Sequence, residues 1–561
     1  MVNHGRSGGG VTCKTRRVKC DEARPECQSC QRLSLRCGGY KMKPVRIRFK
    51  DQNPKPCTKV GPKKAAQDKL WVPNLRSLAE PDPAVPFFLR HYAIIGRDMG
   101  STRGFFEMLV PVYCSQRQNS ALSLAVSAVA SEILSLWRHD SGSRASQETY
   151  TQALKCLRRT LQDHNEWGKP ATALAVLALQ FYENLAAIYG RHSATRVHHD
   201  GAVSLLPFAN SDYTKEAISA YIRGYIIHSE ISSAIYQKRS PQSTVHSCIG
   251  SKGPTAAPDN PSSTLDAISA SVAELQASYL QLAAQNGLMS STERILRDWR
   301  AEAKCIDEQL LAWAQNVPEH WQPLRLRSGQ DIDPSIQTYE SVCEVYPSCQ
   351  TGTIWNQWRV QRLLLVKIIL SSLSTISNPG QLEHPEDEAL AEDEDFAKYK
   401  HIFQELVDSV CHSVPFYLGN QAGSLSIADF TDPAILLPSY HLLASGDKRS
   451  LHQQRPNPQA SEEEHKSHII AQGPWHIMSA LSRLLTFFLE DDVQPMASFL
   501  RPGQHKWICE QFLRVTTLLR IPLADSGDTK GILHPFNSTA QGSVNTRIEY
   551  LTERTRKGAF L

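Results

Sequence analysis

Five cysteines fall between positions 13 and 37, in the run Gly10-Val-Thr-Cys13-Lys-Thr-Arg-Arg-Val-Lys-Cys20-Asp-Glu-Ala-Arg-Pro-Glu-Cys27-Gln-Ser-Cys30-Gln-Arg-Leu-Ser-Leu-Arg-Cys37. The second half reads Cys, two residues, Cys, six residues, Cys. The first half repeats that spacing with Gly10 in the place of its first cysteine. Thiolates two residues apart reach one ion from a single turn of chain, and soft sulfur donors in a reducing compartment select zinc. A segment of about 30 residues with so few apolar side chains cannot fold on burial alone, so the metal would supply the folding free energy. The competing reading, five buried structural thiols, needs hydrophobes around them that this run lacks.

The other nine of the 14 cysteines are scattered singly, which is not the pattern of a secreted disulfide scaffold. Met1 to Gly10 has no apolar stretch of a secretory leader. The most apolar segments, Ala121–Trp137 and Ala171–Tyr189, are interrupted by Glu132, Gln180, Glu183 and Asn184, so neither is expected to cross a membrane. These features point to an intracellular, reducing setting.

The net charge of +5 conceals a strong asymmetry. Residues 1–70 carry 18 Lys and Arg against 5 Asp and Glu, a net of +13, whereas the remainder is at −8. A basic head on a mildly acidic body suggests a polyanionic partner for the head, most simply nucleic acid.

The segments Thr12-Cys-Lys-Thr-Arg-Arg-Val-Lys-Cys20 and Asp21-Glu-Ala-Arg-Pro-Glu-Cys-Gln-Ser-Cys30 resemble the fungal binuclear zinc-cluster transcription factors. In that family six thiolates hold two zinc ions, the first and fourth cysteines bridging. Two short helices pack around the metals, joined by a proline-containing loop in which Pro25 fits. The resemblance implies Cys13, Cys20, Cys27, Cys30 and Cys37 as zinc ligands, with Cys27 as the remaining bridge. Gly10 is the departure. Two tetrahedral zincs need eight metal–sulfur bonds, and five thiolates with one bridge supply six. Water, His4 or Cys57 could complete the set, and weaker metal and DNA binding is the expected consequence. A helical interaction module with a degenerate head is therefore the alternative to a DNA reader.

Lys14, Arg16, Arg17 and Lys19 lie between Cys13 and Cys20. Arginine pairs bidentately with guanine O6 and N7 in the major groove, while lysine mostly holds phosphates. By the same resemblance, Arg16 and Arg17 stand where the family contacts a C/G-rich triplet. Lys14, Lys19, Arg24, Arg32 and Arg36 would hold phosphates or form the second-half surface. The weaker reading of these cations is a generic basic patch that binds any polyanion.

The chain divides into a disordered 1–9, the zinc-cluster DNA-binding domain at 10–40, a basic proline-punctuated linker at 41–70, an all-α body at 71–525 and a tail at 526–561. No heptad stem appears in the linker. Apolar residues at i, i+3, i+4 spacing place helices at Asn119–Arg138, Tyr150–His164, Ala171–Tyr189 and near 194–207, 214–237, 264–284, 289–315, 352–373, 396–412, 468–490 and 504–520. Alternating strand patterns are scarce, so the fold class is mostly α. Residues 239–264 and 445–466 read as loops, and Glu383–Asp395, with eight acidic residues in thirteen, as a solvated loop outside any core.

The body resembles the fungus-specific helical regulatory domain that accompanies these clusters. The carrying segments are Asn119–Trp137, His199–Leu206, Trp355–Leu365 and Trp507–Arg514. His198 and His199 are adjacent on a helix and point apart, which disfavours a shared ion. Trp355, Trp358, Arg359 and Arg362 read as core packing with satisfied arginines. No phosphate loop, nucleophile elbow, His-Glu-x-x-His or dinucleotide fingerprint is present, so no enzyme is expected. The reading is a nuclear, sequence-specific regulator of RNA polymerase II transcription, for example of a biosynthetic gene cluster. Its expected partners are zinc, duplex DNA with C/G-rich triplets, co-regulators or the transcription machinery, and a second copy of itself.

Overall fold

The computed structural model describes residues 11–18, 20, 21, 27–33, 35 and 37 near the N-terminus. In the body it describes 83–97, 105–140, 144–191, 193, 195–208, 216–249, 260–286, 293–376, 386–438, 461–489, 496–522, 548–553 and 555. The chain forms two compact units, Met1–Ser77 and Leu78–Leu561.

The first unit carries two short helices, α1 (Val11–Thr15) and α2 (Gln28–Gln31). Its buried residues are Cys13, Cys27 and Cys30, with Cys20 and Cys37 packed against them. Among the described residues of this unit the hydrocarbon side chains face out: Val18, Leu33 and Leu35 are 44%, 56% and 40% exposed. Sulfur stands where a small domain would normally place its apolar core.

The second unit is built from helices around one continuous core reaching from Ala84 to Leu551. α3 (Ala84–Phe88) widens into a π-helical segment, Leu89–Ile94, followed by α4 (Phe106–Tyr113), α5 (Ala121–Arg138), α6 (Arg144–Thr160), α7 (Pro170–Ile188) and α8 (Val197–Leu205). Then come α9 (Glu216–Gln237), α10 (Ser243–His246), α11 (Pro261–Asn286) and α12 (Glu293–Asn316). The unit continues with α13 (Cys349–Ile376), α14 (Glu386–Leu418), α15 (Glu462–Leu489) and α16 (Gln504–Leu518). Local chemistry sets several boundaries. The Ser120 hydroxyl accepts the Ser123 amide at 3.2 Å and opens α5. α5 closes at His139, which takes the left-handed conformation with φ 63°. Pro170 opens α7 in its first turn. Among the described residues, α5 and α7 are the two helices long and apolar enough to span a membrane, yet 67% and 89% of their 18-residue apolar windows are buried inside the body. They are core helices, as the polar interruptions in their sequences suggest.

Several features differ from the sequence-based expectation. The stretch 239–264, read as a loop, holds α10 and the start of α11 at Pro261, and α15 begins at Glu462 inside the 445–466 stretch. Between α12 and α13 lies a hairpin, β1 (Leu324–Arg327) antiparallel to β2 (Val342–Val345), in register Leu324 to Val345 and Arg327 to Val342. Its only sequence signal is the alternation Leu324-Arg-Leu-Arg327, too short to register as a strand. The acidic run expected as a loop is instead helical from Glu386 onward, as the first turns of α14. It is held by charge pairing with α12: Arg300 Nη1 to Glu392 at 3.0 Å and Lys304 Nζ to Asp395 at 2.6 Å. Part of the 526–561 tail also joins the body: Leu551 is buried, and the Thr555 hydroxyl lies 2.9 Å from that of Ser482.

Buried polar anchors fix the helices. Arg359 Nη2 donates to Glu344 Oε2 at 2.6 Å, and Arg362 grips both oxygens of Asp307 at 2.6 and 3.0 Å. Gly96, with φ 71°, turns the chain where a Cβ would overlap the His468 ring.

Candidate metal centre and nucleic-acid interface

Each cysteine owes its place to a local element. Cys13 sits within α1, Cys27 is the extended residue (φ −74°, ψ 142°) that precedes α2, and Cys30 is buried in α2. Cys20 and Cys37 come from the segments that follow each helix and are half-buried. The thiols gather into two triads, Cys13/Cys20/Cys27 and Cys27/Cys30/Cys37, within each of which the sulfurs lie no more than 4.8 Å apart. Cys27 belongs to both. Its Sγ is 3.5 Å from that of Cys13 and 4.0 Å from that of Cys37, while Cys13 and Cys30 are 3.8 Å apart. A tetrahedral zinc with Zn–S bonds of ~2.3 Å separates its sulfurs by ~3.8 Å. The donor set and spacing therefore fit zinc, and each triad offers three of the four positions around one ion.

Burial favours the neutral thiol form of this cluster. Desolvation raises the Cys27 thiol pKa, and the neighbouring thiols add to it; Cys13 is raised for the same leading reason. A bound dication reverses that logic, because coordination holds sulfur as thiolate.

One residue that sequence reasoning missed organises the second half. Asp21 Oδ2 accepts the Gln28 amide at 3.0 Å, and Oδ1 accepts the Ser29 amide and the Ser29 hydroxyl, both at 3.2 Å. It caps α2 from seven residues upstream. Capping signals are sought in the residue just before a helix, and here that residue is Cys27. Only the position of Asp21 directly after Cys20 could have drawn notice.

Of the cations that the sequence offers for DNA contact, Arg16 and Arg17 are exposed just after α1. Arg17 takes φ 57°, and the Val18 amide bonds back to the Cys13 carbonyl at 3.0 Å, which closes the helix and turns the chain toward Cys20. The side chain of Lys14 lies outside the described residues, as do Lys19, Gly10, His4, Arg24, Arg36 and Cys57.

The histidine pair in the body takes separate partners: His198 Nε2 lies 3.3 Å from Glu183, and His199 Nε2 lies 2.6 Å from Glu230. Trp355 and Trp358 donate their indole N–H groups to the Trp321 and Leu310 carbonyls, at 2.7 and 2.8 Å. These residues hold the body together.

Residues 11–46 match the fungal Zn(2)-Cys(6) binuclear cluster domain. Zinc is the cofactor of that domain, and the five thiols are arranged to receive it. The chain is 58% identical over 45 residues to the pestheic acid cluster transcriptional regulator 3 of Pestalotiopsis fici, covering 8% of each chain. It is 57% identical over 37 residues to an aspercryptin biosynthesis cluster-specific transcription regulator of Emericella nidulans, covering 6% of each. A third relative, transcription factor dbaG of Emericella nidulans, is 23% identical over 143 residues, which are 25% of this chain and 31% of that one. The matched stretches thus span less than a tenth of the first two relatives and under a third of the other. No solved structure matches the chain.

Proposed function

We propose that the protein is a nuclear, sequence-specific regulator of transcription by RNA polymerase II, acting on a pathway-specific set of genes such as a biosynthetic cluster. The observation that carries this reading is the pair of thiol triads sharing Cys27, in a segment that matches the binuclear cluster domain. Cys13, Cys20, Cys27, Cys30 and Cys37 ligate zinc. The metal fixes α1, and α1 presents Arg16 and Arg17 to a C/G-rich triplet, while Lys14 and Lys19 hold phosphates. The helical body is the regulatory domain, contacting co-regulators and, through a second copy, a paired half-site. That one relative is named as a regulator of the pestheic acid cluster and another of an aspercryptin biosynthesis cluster supports the choice of pathway class.

The deciding experiment uses the zinc-loaded full chain at fixed salt, with C/G-triplet duplexes against scrambled duplexes. A preference on the order of a thousandfold is expected for specific reading. Equal affinities, both steeply salt-dependent, would leave only a polyanion-binding patch.

Gly10 favours one second reading, a co-regulator that acts through its helical body without specific DNA contact. Zinc content separates the two. About two ions per chain, counted against the eight bonds and water-completed sites discussed above, supports the reader; one or none supports the co-regulator.

A further inference from the structure

We propose that the body binds a small aromatic carboxylate in the cavity between α5, α7, α9, α13 and α15, with the Arg483 guanidinium as its counter-charge. The cavity measures about 180 Å³, somewhat larger than the ~150 Å³ apolar cavity that accepts benzene. A one- or two-ring molecule fits that space. Its walls include the rings of Phe106, Trp137, Phe181 and Trp475, which offer flat apolar and edge-on surfaces to an aromatic guest.

The charges facing the cavity are unbalanced. Glu107 is its one carboxylate, and Glu107 is paired with Arg97 at 3.5 Å. Arg97 is otherwise satisfied: it donates to the Tyr92 carbonyl at 3.0 Å, to Gln350 at 3.3 Å and to Gln472 at 2.6 Å. Arg483 differs. Its Nε is buried with no hydrogen-bond partner, and the guanidinium forms no ion pair among the described residues. It stands on the wall between this cavity and a smaller pocket of about 60 Å³, whose lining combines Ile235, Leu363 and Leu484 with Tyr236, Lys238 and Gln276. Desolvation lowers its pKa, opposed by the nearby Tyr236 hydroxyl.

Arg483 is half-buried, with its Nε shut off from solvent; a cation so placed is relieved by an anion that brings its own apolar body. A planar carboxylate matches a guanidinium bidentately. Arg520 also lines the cavity but is exposed to solvent. A phosphate or sulfate would ask for several sheltered cations, and among the described lining residues Arg483 is the one sheltered guanidinium with no ion pair. His476, which also lines the cavity, adds none near neutral pH: burial and then Arg97 hold its pKa down to about 3, and its Nδ1 lies 2.7 Å from the Thr353 hydroxyl.

The test titrates benzoate and 2-naphthoate, each beside its uncharged carboxamide, into the full chain without DNA, so that it stands whether or not the head reads DNA. Trp137 and Trp475 report binding by fluorescence, and calorimetry gives the affinity. At least one acid is expected to bind saturably and at least tenfold tighter than its amide. Arg483→Met should abolish that preference and melt no lower than the parent, because it removes an unpaired charge. Arg483→Lys should weaken the acid about tenfold with little change for the amide, and it serves if the Met variant does not fold. Absence of saturable binding by both acids, equal affinity for acid and amide, or an unchanged preference in either variant would each overturn the proposal.

Discussion

Asp21 reaches across the cysteine run to the start of α2, where its Oδ2 accepts the Gln28 amide at 3.0 Å. Desolvation works against its charge, but the backbone amides of Gln28 and Ser29 outweigh it and hold the carboxyl down to about 2. The bond ties the half of the head that carries Cys13 and Cys20 to the half that carries Cys27 and Cys30. Asp21→Ala is expected to weaken zinc retention roughly fivefold, the usual effect of losing a helix cap. Asp21→Asn, which keeps an acceptor, should lose less. Competition with a chromogenic chelator measures both; equal retention by wild type and Asp21→Ala would show that the cap does not support the cluster.

Gly10→Cys restores the sixth sulfur of the family pattern. If that position supplies the second bridge, the substitution should raise zinc affinity by more than tenfold and tighten triplet-duplex binding with it. Chelation should release the head's metal while leaving the melting of the helical body unchanged, since the metal-competent groups among the described residues lie in the head. Zinc per chain by elemental analysis, taken with calorimetry of the body transition, reads both effects. Unchanged zinc content and duplex affinity in Gly10→Cys would mean that another ligand already fills the position.

The two exposed arginines that follow α1 call for different substitutions. Arg16→Ala removes a guanidinium from ordinary helical backbone, and a lost bidentate guanine contact corresponds to about 1–3 kcal/mol of discrimination. At Arg17 the left-handed backbone, φ 57°, complicates an alanine substitution. Arg17→Gly keeps that conformation and removes only the side chain. Each variant should lose triplet preference while keeping its zinc. A fall in affinity that is uniform across sequences would reassign that arginine to phosphate contact.

The sequence displayed most of the architecture because its signals were local. Helices such as α5 and α7 follow from apolar spacing together with Ser120 and Pro170, and the metal head follows from cysteine spacing alone. What stayed hidden was nonlocal. The acidic start of α14 looks like a solvated loop until Arg300 and Lys304 of α12 are seen opposite Glu392 and Asp395. Asp21 caps a helix that begins seven positions later, and the hairpin at Leu324 is too short for a period to emerge. Arg483 reads in sequence as one more arginine on an amphipathic helix. Its lack of a partner appears only when five helices are assembled around it.

Glu230 offers the sharpest test of how the body is held together. It is fully buried, and it accepts from Arg239 at 2.6 and 2.9 Å and from the Gln242 amide at 2.9 Å, with His199 Nε2 at 2.6 Å. One carboxylate thereby joins α8, α9 and the turn into α10. Desolvation alone would raise its pKa, but His199 and Arg239 reverse the sign and bring it to about 2. A carboxyl whose folded pKa lies below its unfolded value of about 4.3 stabilises the fold at pH above that value. The contribution is then lost as pH falls from about 4.3 through 2. Glu230→Gln leaves Arg239 without its counter-charge and should cost on the order of 3 kcal/mol at neutral pH. Urea unfolding at a series of pH values should show the gap between wild type and variant constant from pH 7 to about 5 and closing below that. A gap that stayed constant down to pH 2 would mean that the carboxylate's charge contributes nothing, and that the variant suffers only from altered packing.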